Sequence, residues 1–147
     1  MLLIGTKNVG SQTVLANGTI GIGSVYRRYC KRTAQGLPTF ADSSTGITLN
    51  GQGIYKVTAT FVGAGTAAGD LTIQIYDNGD AISGATATET ITTANTEQRT
   101  LVIDYFVKVD SSCVLGNWSV SPKTISFRNT GVAATFNNVV VDIVKVV

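Results

Sequence analysis

The sequence predicts an all-β domain of antiparallel strands, folded as a sandwich or a barrel. Three observations lead to this prediction: apolar side chains recur at every second position in several segments, no long window has apolar spacing of three and four residues, and Asn-Gly steps recur between the segments. A period of two is typical of strands with one face on a core, whereas an amphipathic helix needs a period of about 3.6. The 147 residues fit one domain that is large enough to bury a core.

Four segments carry the alternation, and we expect each to form a strand: residues 54–61, 71–75, 100–109 and 124–128. In the first and third of them every odd position is apolar, which predicts one buried face. Thr occupies many of the even positions, and this β-branched residue is favoured on the exposed face of a sheet.

Asn-Gly and related steps at residues 17–18, 50–51, 78–79 and 129–131 predict turns between strands. The strongest is the step at 78–79, because Asn and Gly both accept the positive φ that a two-residue hairpin requires. The Gly- and Ala-rich residues 62–69 predict a flexible connection. No linker or change in composition divides the chain, so we expect a single domain.

The composition disfavours an enzyme. The chain has no His, which removes Ser-His-Asp and Cys-His catalysis, most catalytic zinc sites and the usual proton shuttle at neutral pH. Charged residues make up only 14% of the chain, which is well below the usual share of about a quarter. We therefore predict a structural or binding domain without catalytic activity, cofactor or metal.

The sequence also disfavours a membrane or nucleic-acid partner. The apolar start, Met1 to Ile4, is too short for a secretory signal peptide, and no run approaches the roughly 20 apolar residues of a membrane span. A net charge of +2 is too small for a basic nucleic-acid binder. We expect the chain to be made in the cytoplasm without a signal peptide.

The last segment of the chain, residues 139–147, is apolar on both faces. One face of a strand in an antiparallel sandwich usually meets water, so this strand needs a second cover. That cover is either another part of the chain or a second copy, and we favour the second copy because soluble monomers rarely keep a contiguous apolar patch exposed. The predicted interface residues are Val140, Val141, Ile143, Val144 and Val146 of this segment, together with Tyr55, whose place in the strand period predicts either the core or the interface between copies.

Short motifs follow one another in a set order along the chain. Residues 50–57 (NGQGIYKV) begin a strand with a Gly-x-Tyr step, and the hairpin at 78–79, a Thr-rich stretch at 85–90, a long apolar strand and a closing strand come after it. This order resembles the jelly-roll domain shared by tumour necrosis factor and the globular head of complement.

The chain is also similar to a group of small proteins encoded by phages and prophages of Gram-positive and gut bacteria. The similarity rests on residues 22–29 (IGSVYRRY), 38–40 (PTF), 46–51 (GITLNG) and 136–139 (FNNV). Together the two resemblances cover residues 13–147.

The resemblance implies a tumour necrosis factor-like jelly roll of two antiparallel sheets over residues 13–147, preceded by an N-terminal arm over residues 1–12. It implies a homotrimer in which the first and last strands lie in the inner sheet, near the three-fold axis. It further implies a virion location, as a capsid decoration or head-fibre component that contacts capsid or other virion proteins. The alternative is a trimeric adhesin module at a phage tail or fibre tip that binds a receptor or a host-surface glycan.

The only dense basic cluster consists of Arg27, Arg28, Lys31 and Arg32. It suggests a docking patch for an acidic surface or a phosphate-bearing glycan. The alternative, which we favour, is a solvated strand end or ion pairs with carboxylates inside the trimer, because isolated charge runs usually form solvated faces.

Trp118 lies beside Asn117 in a segment that is typical of a loop, where its ring would be able to stack on a sugar. The alternative, which we favour, is that Trp118 caps one end of the sandwich. The two cysteines, Cys30 and Cys113, leave both a disulfide and two free thiols open, and a reducing compartment favours the thiols.

The acidic residues do not predict a metal or catalytic site. Asp77 and Asp80 flank the Asn-Gly step without EF-hand spacing, and hairpin chemistry explains them. Glu89, Glu97 and Asp104 would have to face each other across a cleft to act as glycosidase carboxylates, but they occur in Thr-rich segments typical of exposed strands.

Overall fold

The computed structural model describes residues 1–34, 36–114 and 117–147, with the backbone alone described at 112–114 and 117–118. In this part of the chain every regular element is a strand, and there is no helix that could cross a membrane. The strands are β1 (Leu2–Asn8), β2 (Gln12–Val14), β3 (Gly18–Thr19), β4 (Ser24–Tyr29), β5 (Phe40–Asp42), β6 (Gly46–Leu49), β7 (Gly53–Gly65), β8 (Gly69–Asp77), β9 (Asp80–Ile91), β10 (Gln98–Val109), β11 (Ser111–Val114), β12 (Asn117–Val120), β13 (Lys123–Asn129) and β14 (Ala134–Lys145).

Two antiparallel sheets form the body of the molecule. The first sheet has the strand order β10-β7-β14-β1-β4, with β2 also paired to β14. The second sheet has the order β5-β6-β13-β8-β9, with β3 also paired to β13. Strands β11 and β12 form a separate hairpin. The prediction of an all-β fold with two antiparallel sheets is confirmed.

The alternating segments form strands as predicted, and their odd positions form the core. On β7 the side chains of Tyr55, Val57, Ala59 and Phe61 are fully buried. The Phe61 ring packs against Phe127 of the second sheet, with the ring centroids 5.3 Å apart, and against Phe136 of β14 at 6.2 Å. These three rings join the two sheets, and aromatic pairs of this kind add to the free energy gained from burial.

The predicted hairpin at residues 78–79 joins β8 to β9. Asn78 has φ 50° and Gly79 has φ 88°, so both central residues adopt the left-handed conformation that favours Asn and Gly. The side chain of Asn78 strengthens the turn, because its Oδ1 accepts a hydrogen bond from the N–H of Thr124 at 2.9 Å.

The prediction of a flexible connection at residues 62–69 is wrong for its first half, since β7 continues to Gly65. Small residues serve close packing here. A Cβ on Gly63 would lie 2.7 Å from the carbonyl oxygen of Thr135 and 2.8 Å from Cδ1 of Phe136, so only glycine fits beside β14.

The N-terminal residues belong to the sandwich, and this placement corrects the prediction of an arm over residues 1–12. Strand β1 pairs with β14 along its whole length and with β4 on its other side. Ile4 is fully buried, and Gln12 at the start of β2 pairs with β14. Residues 2–8 are therefore part of the first sheet and are not available as a free attachment segment.

Candidate functional site

Strand β14 lies in the middle of the first sheet, between β7 and β1. Val141 and Ile143 on β14 and Tyr55 on β7 point into the core and are 0% exposed. Side chains enclosed by their own chain cannot contact a second copy. The predicted interface role of Val141 and Ile143 is therefore corrected to a role in the core, and of the two alternatives for Tyr55 the structure shows the core.

The other side of the first sheet faces away from the second sheet, and we call it the open face. Val140, Asp142 and Val144 of β14 point to this side and are only partly buried. Both faces of β14 are apolar in sequence because one packs in the core and the other contributes two valines to the open face. Val146, which follows the strand, is exposed.

Strand register arranges the open face in three rows, because directly paired residues lie on the same side of a sheet. The rows are Phe106, Lys56, Val144, Leu3 and Tyr29; then Asp104, Thr58, Asp142, Gly5 and Arg27; then Val102, Thr60, Val140 and Lys7. The two outer rows carry the apolar side chains, and the middle row carries the acidic ones.

The most exposed apolar side chains of the open face are on its edge strands. Phe106 is 58% exposed and Val102 is 55% exposed on β10, and Tyr29 is 61% exposed on β4. We did not predict Val102 and Phe106 as site residues. The signal was present, since both are apolar residues at even positions of a strand whose odd positions are already apolar.

A polar cluster occupies the centre of the open face. The hydroxyl of Tyr26 donates a hydrogen bond to Oδ1 of Asp142 at 2.6 Å, and this bond raises the pKa of Tyr26. Two cations lie near the Tyr26 ring centroid, Lys7 Nζ at 5.5 Å and the Arg27 guanidinium at 5.6 Å. The cluster places two positive groups beside one carboxylate.

The structure separates the predicted basic cluster into three parts. Arg27 lies on the open face, and Arg28 forms an ion pair with Asp42 of β5. Lys31 and Arg32 follow β4 and line a cavity at one end of the sandwich. Arg27 fits the favoured interpretation of a solvated strand end, whereas the partner of Arg28 is a carboxylate of its own chain and not one across a trimer contact. Lys31 and Arg32 contribute to a separate pocket.

We call this cavity the end pocket; its volume is about 360 Å³. Its lining comes from the chain after β4, the turn between β6 and β7, the ends of β1, β12 and β14, and the residue before β5. The described lining residues are Leu2, Lys31, Arg32, Thr33, Ala34, Thr39, Gly51, Gln52, Val120 and Lys145. Our sequence predictions included only Lys31 and Arg32 among these residues.

Three of the carboxylates, Asp77, Asp104 and Glu97, have separate partners. Asp77 pairs with Lys123 at 3.3 Å, and Asp104 pairs with Lys56 at 3.3 Å. Glu97 accepts a hydrogen bond from the N–H of Thr93 at 2.7 Å. Among the described residues no group of three or more His, Cys, Asp and Glu side chains is placed to hold a metal ion.

The side chains of Trp118 and Cys113 lie outside the described residues, so the predicted glycan contact at Trp118 stays a prediction. The thiol of Cys30 is free.

Comparison with known proteins agrees with the topology. No family profile and no curated relative matches the sequence. Among solved structures, Eiger TNF from S. frugiperda matches with a TM-score of 0.66, 8% identity and coverage of 100% of this chain and 94% of the other. The fold is the jelly roll of tumour necrosis factor and complement C1q.

Two further matches show how widely this jelly roll is used. The globular domain of zebrafish complement 1qA gives a TM-score of 0.63 at 6% identity, covering 100% of this chain and 98% of the other. The phage PRD1 vertex protein P5 gives 0.54 at 16% identity, covering 99% of this chain and 97% of the other. The jelly-roll prediction is confirmed, and the matches extend over nearly the full length of both chains.

Proposed function

We propose that the protein is a structural component of a phage virion, a homotrimer that decorates the capsid or forms part of a head fibre. The observation that carries the proposal is the open face of the first sheet. It exposes more than half of the Phe106 and Val102 side chains on β10, and it carries the partly buried Val140 and Val144 on β14, with Lys56 and Thr60 of β7 between the two pairs. Soluble monomers rarely keep such a patch in contact with water.

A closed ring of identical chains suits the arrangement of the open face. The exposed aromatic side chains, Phe106 and Tyr29, are on opposite edges of the sheet, and the valines of β14 lie between them. In a cyclic assembly one edge of each chain packs against a different part of the next, so two unlike apolar areas are both buried. The homotrimer implied by the sequence resemblance provides this closure.

Charges on the open face are compatible with burial between copies. Asp104 is paired with Lys56, and Asp142 accepts the hydrogen bond of Tyr26. Lys7 and Arg27 lie near the Tyr26 ring, 5.5 Å and 5.6 Å from its centroid. A buried carboxylate without such partners would oppose assembly.

The virion assignment has two supports. The sequence resembles small phage and prophage proteins, and the fold is shared by the phage PRD1 vertex protein P5. A fold by itself does not determine function, so location decides between the structural role and the adhesin alternative. We assign no catalytic role to the protein.

Two measurements test the proposal. Sedimentation velocity at micromolar concentration should give the mass of three chains, and the mass of one chain would contradict the assembly. Quantitative mass spectrometry of purified particles that carry the gene should find many copies of the protein per capsid. A few copies at a tail tip, together with binding of the purified protein to host cells, would support the adhesin instead.

A further inference from the structure

We propose that the end pocket binds an anionic sugar residue, one that carries a carboxylate or a phosphate group. The inference goes beyond the virion role and gives the adhesin alternative a defined ligand class. It is argued from residues of one chain and makes no use of the trimer.

Three cations converge on the end pocket from distant parts of the sequence. Lys31 and Arg32 come from the chain after β4, and Lys145 comes from the end of β14. No carboxylate is present among the described lining residues, and none of the three cations has an ion pair within the described part of the chain. Like charges gathered without a counter-charge repel one another, and a bound anion would relieve this repulsion.

The backbone that carries Lys31 and Arg32 is fixed in place. The carbonyl oxygen of Lys31 accepts two hydrogen bonds from Thr39, from its N–H at 2.9 Å and from its hydroxyl at 2.8 Å. Arg32 forms an isolated β-bridge with Pro38. Because Thr39 is buried, both cationic side chains start from a backbone that is tied to the sandwich, as a pre-organised site requires.

A glycine keeps space open beside the third cation. The ammonium group of Lys145 lies 5.9 Å from the ring centroid of Tyr55. A Cβ on Gly51 would lie 3.6 Å from this ammonium group and 3.0 Å from the Tyr55 hydroxyl oxygen. With no side chain at Gly51, the amine of Lys145 remains accessible from the cavity.

The remaining lining fits a sugar ring better than a bare ion. Gln52 and Thr33 supply polar groups, whereas Leu2 and Val120 supply apolar surface. The volume of about 360 Å³ falls in the range of small-molecule sites and exceeds what one inorganic anion fills.

The test is calorimetric titration with four probes, combined with NMR mapping of the shifted amides. Glucuronic acid and glucose 6-phosphate are the carboxylate and phosphate probes, neutral glucose is the uncharged control, and inorganic phosphate is the control without a sugar. We expect at least one anionic sugar to bind at the end pocket, and its binding to weaken as the salt concentration rises.

Three variants test the cations. Lys31→Gln, Arg32→Gln and Lys145→Gln should each weaken binding of the anionic sugar by about tenfold, the effect of losing one charge-assisted hydrogen bond. Lys108→Gln is the matched control, since it removes the same charge from a residue outside the lining that pairs with Asp110 at 2.9 Å. All four variants should unfold at nearly the wild-type temperature, because these changes lie outside the core.

Four results would overturn the proposal: no binding of either anionic sugar, equal binding of glucose, binding of inorganic phosphate as tight as that of the tighter-binding anionic sugar, or wild-type affinity in all three lining variants. The outcome is separable from the trimer proposal. Titration of a monomeric variant such as Val144→Asp shows whether the end pocket still binds the anionic sugar without assembly.

In a trimer, cyclic symmetry places three end pockets at the same end of the trimer, where they would act together on a multivalent glycan.

Discussion

The hydroxyl of Tyr26 reaches across Gly5 to hydrogen-bond the carboxylate of Asp142, at a distance of 2.6 Å. Gly5 lies between them on β1, where it pairs with Asp142 on one side and with Arg27 on the other. A Cβ at Gly5 would lie 2.5 Å from Asp142 Oδ1 and 2.7 Å from Tyr26 Cε1. The hydrogen bond between Tyr26 and Asp142 therefore crosses the middle of the open face because Gly5 has no side chain.

Gly5→Ala should break this hydrogen bond. The added methyl group has to displace Tyr26 or Asp142, and we expect the free energy of unfolding to fall by about 1–2 kcal/mol, the usual size of a lost hydrogen bond to a charged group. Urea denaturation measures the change. Gly10→Ala is the control, since a Cβ there meets only Asn8 Oδ1 at 3.4 Å. Equal urea midpoints for Gly5→Ala and wild type would show that the hydrogen bond between Tyr26 and Asp142 does not require glycine at position 5.

An aspartate introduced on one face or the other of β14 should separate the effect on assembly from the effect on folding. Val144→Asp places a carboxylate on the open face, so we expect a folded chain that no longer forms trimers. Val141→Asp places one in the core and should unfold the domain, because a buried carboxylate without a partner costs several kcal/mol. Sedimentation velocity and circular dichroism give the two readouts.

The control for Val144→Asp is Thr86→Asp, which introduces the same group at an exposed position of β9 in the second sheet. It should leave the trimer intact. If Val144→Asp also remains a trimer, the open face is not the contact surface between copies.

Tyr55 should make the domain less stable at high pH. Burial raises the pKa of Tyr55 to about 12, from the ordinary value of 10.0. The folded state therefore holds this proton more tightly than the unfolded state, and the stabilisation is complete below pH 10 and lost as pH rises to about 12. We expect a loss of up to about 2 kcal/mol across this window.

Tyr55→Phe isolates that contribution, because the variant has no phenol to titrate at this position. It also loses the 2.6 Å hydrogen bond from the Tyr55 hydroxyl to the carbonyl oxygen of Gly51, so it should be less stable at neutral pH. The difference in urea midpoint between wild type and variant should shrink as pH rises from 10.0 towards about 12, because the pKa of Tyr55 is raised over this interval. A constant difference would contradict the assignment.

Glu97 should stabilise the turn between β9 and β10 only at a pH where its carboxyl group is ionised. Hydrogen bonds from the hydroxyl and N–H of Thr92 and from Thr93 lower the pKa of Glu97 to about 2, from 4.5. A lowered pKa in the folded state means that this stabilisation is present above pH 4.5 and is lost as pH falls through about 2.

Hydrogen exchange at Thr92 and Thr93 measures this effect, since both amide groups donate to the Glu97 carboxylate. Protection of the two amides, corrected for the intrinsic pH dependence of exchange, should decline over that acidic window in the wild type. In Glu97→Gln it should be weaker at neutral pH and change little. Equal protection in both proteins would show that the carboxylate does not hold the turn.

Local patterns in the sequence predicted much of the fold. The period of two at residues 54–61 and 100–109 identified β7 and β10 and the side of each strand that is buried, because alternation along a strand is a property of the strand alone. The step at 78–79 identified the hairpin for a similar reason, since the φ preference of Asn and Gly is local. The start of β1 was missed because its short apolar run has no clear alternation.

The sequence by itself determined that the chain is all-β, folded as a sandwich or a barrel, that it lacks His-based chemistry and that its last segment has two apolar faces. Only the tertiary structure decided which face of β14 is enclosed, which cations stay together and which separate. Lys31 and Lys145 meet in the end pocket although they lie near opposite ends of the chain. Contacts of this kind depend on which distant segments pair as strands. The pattern along one strand does not say which other strand pairs with it.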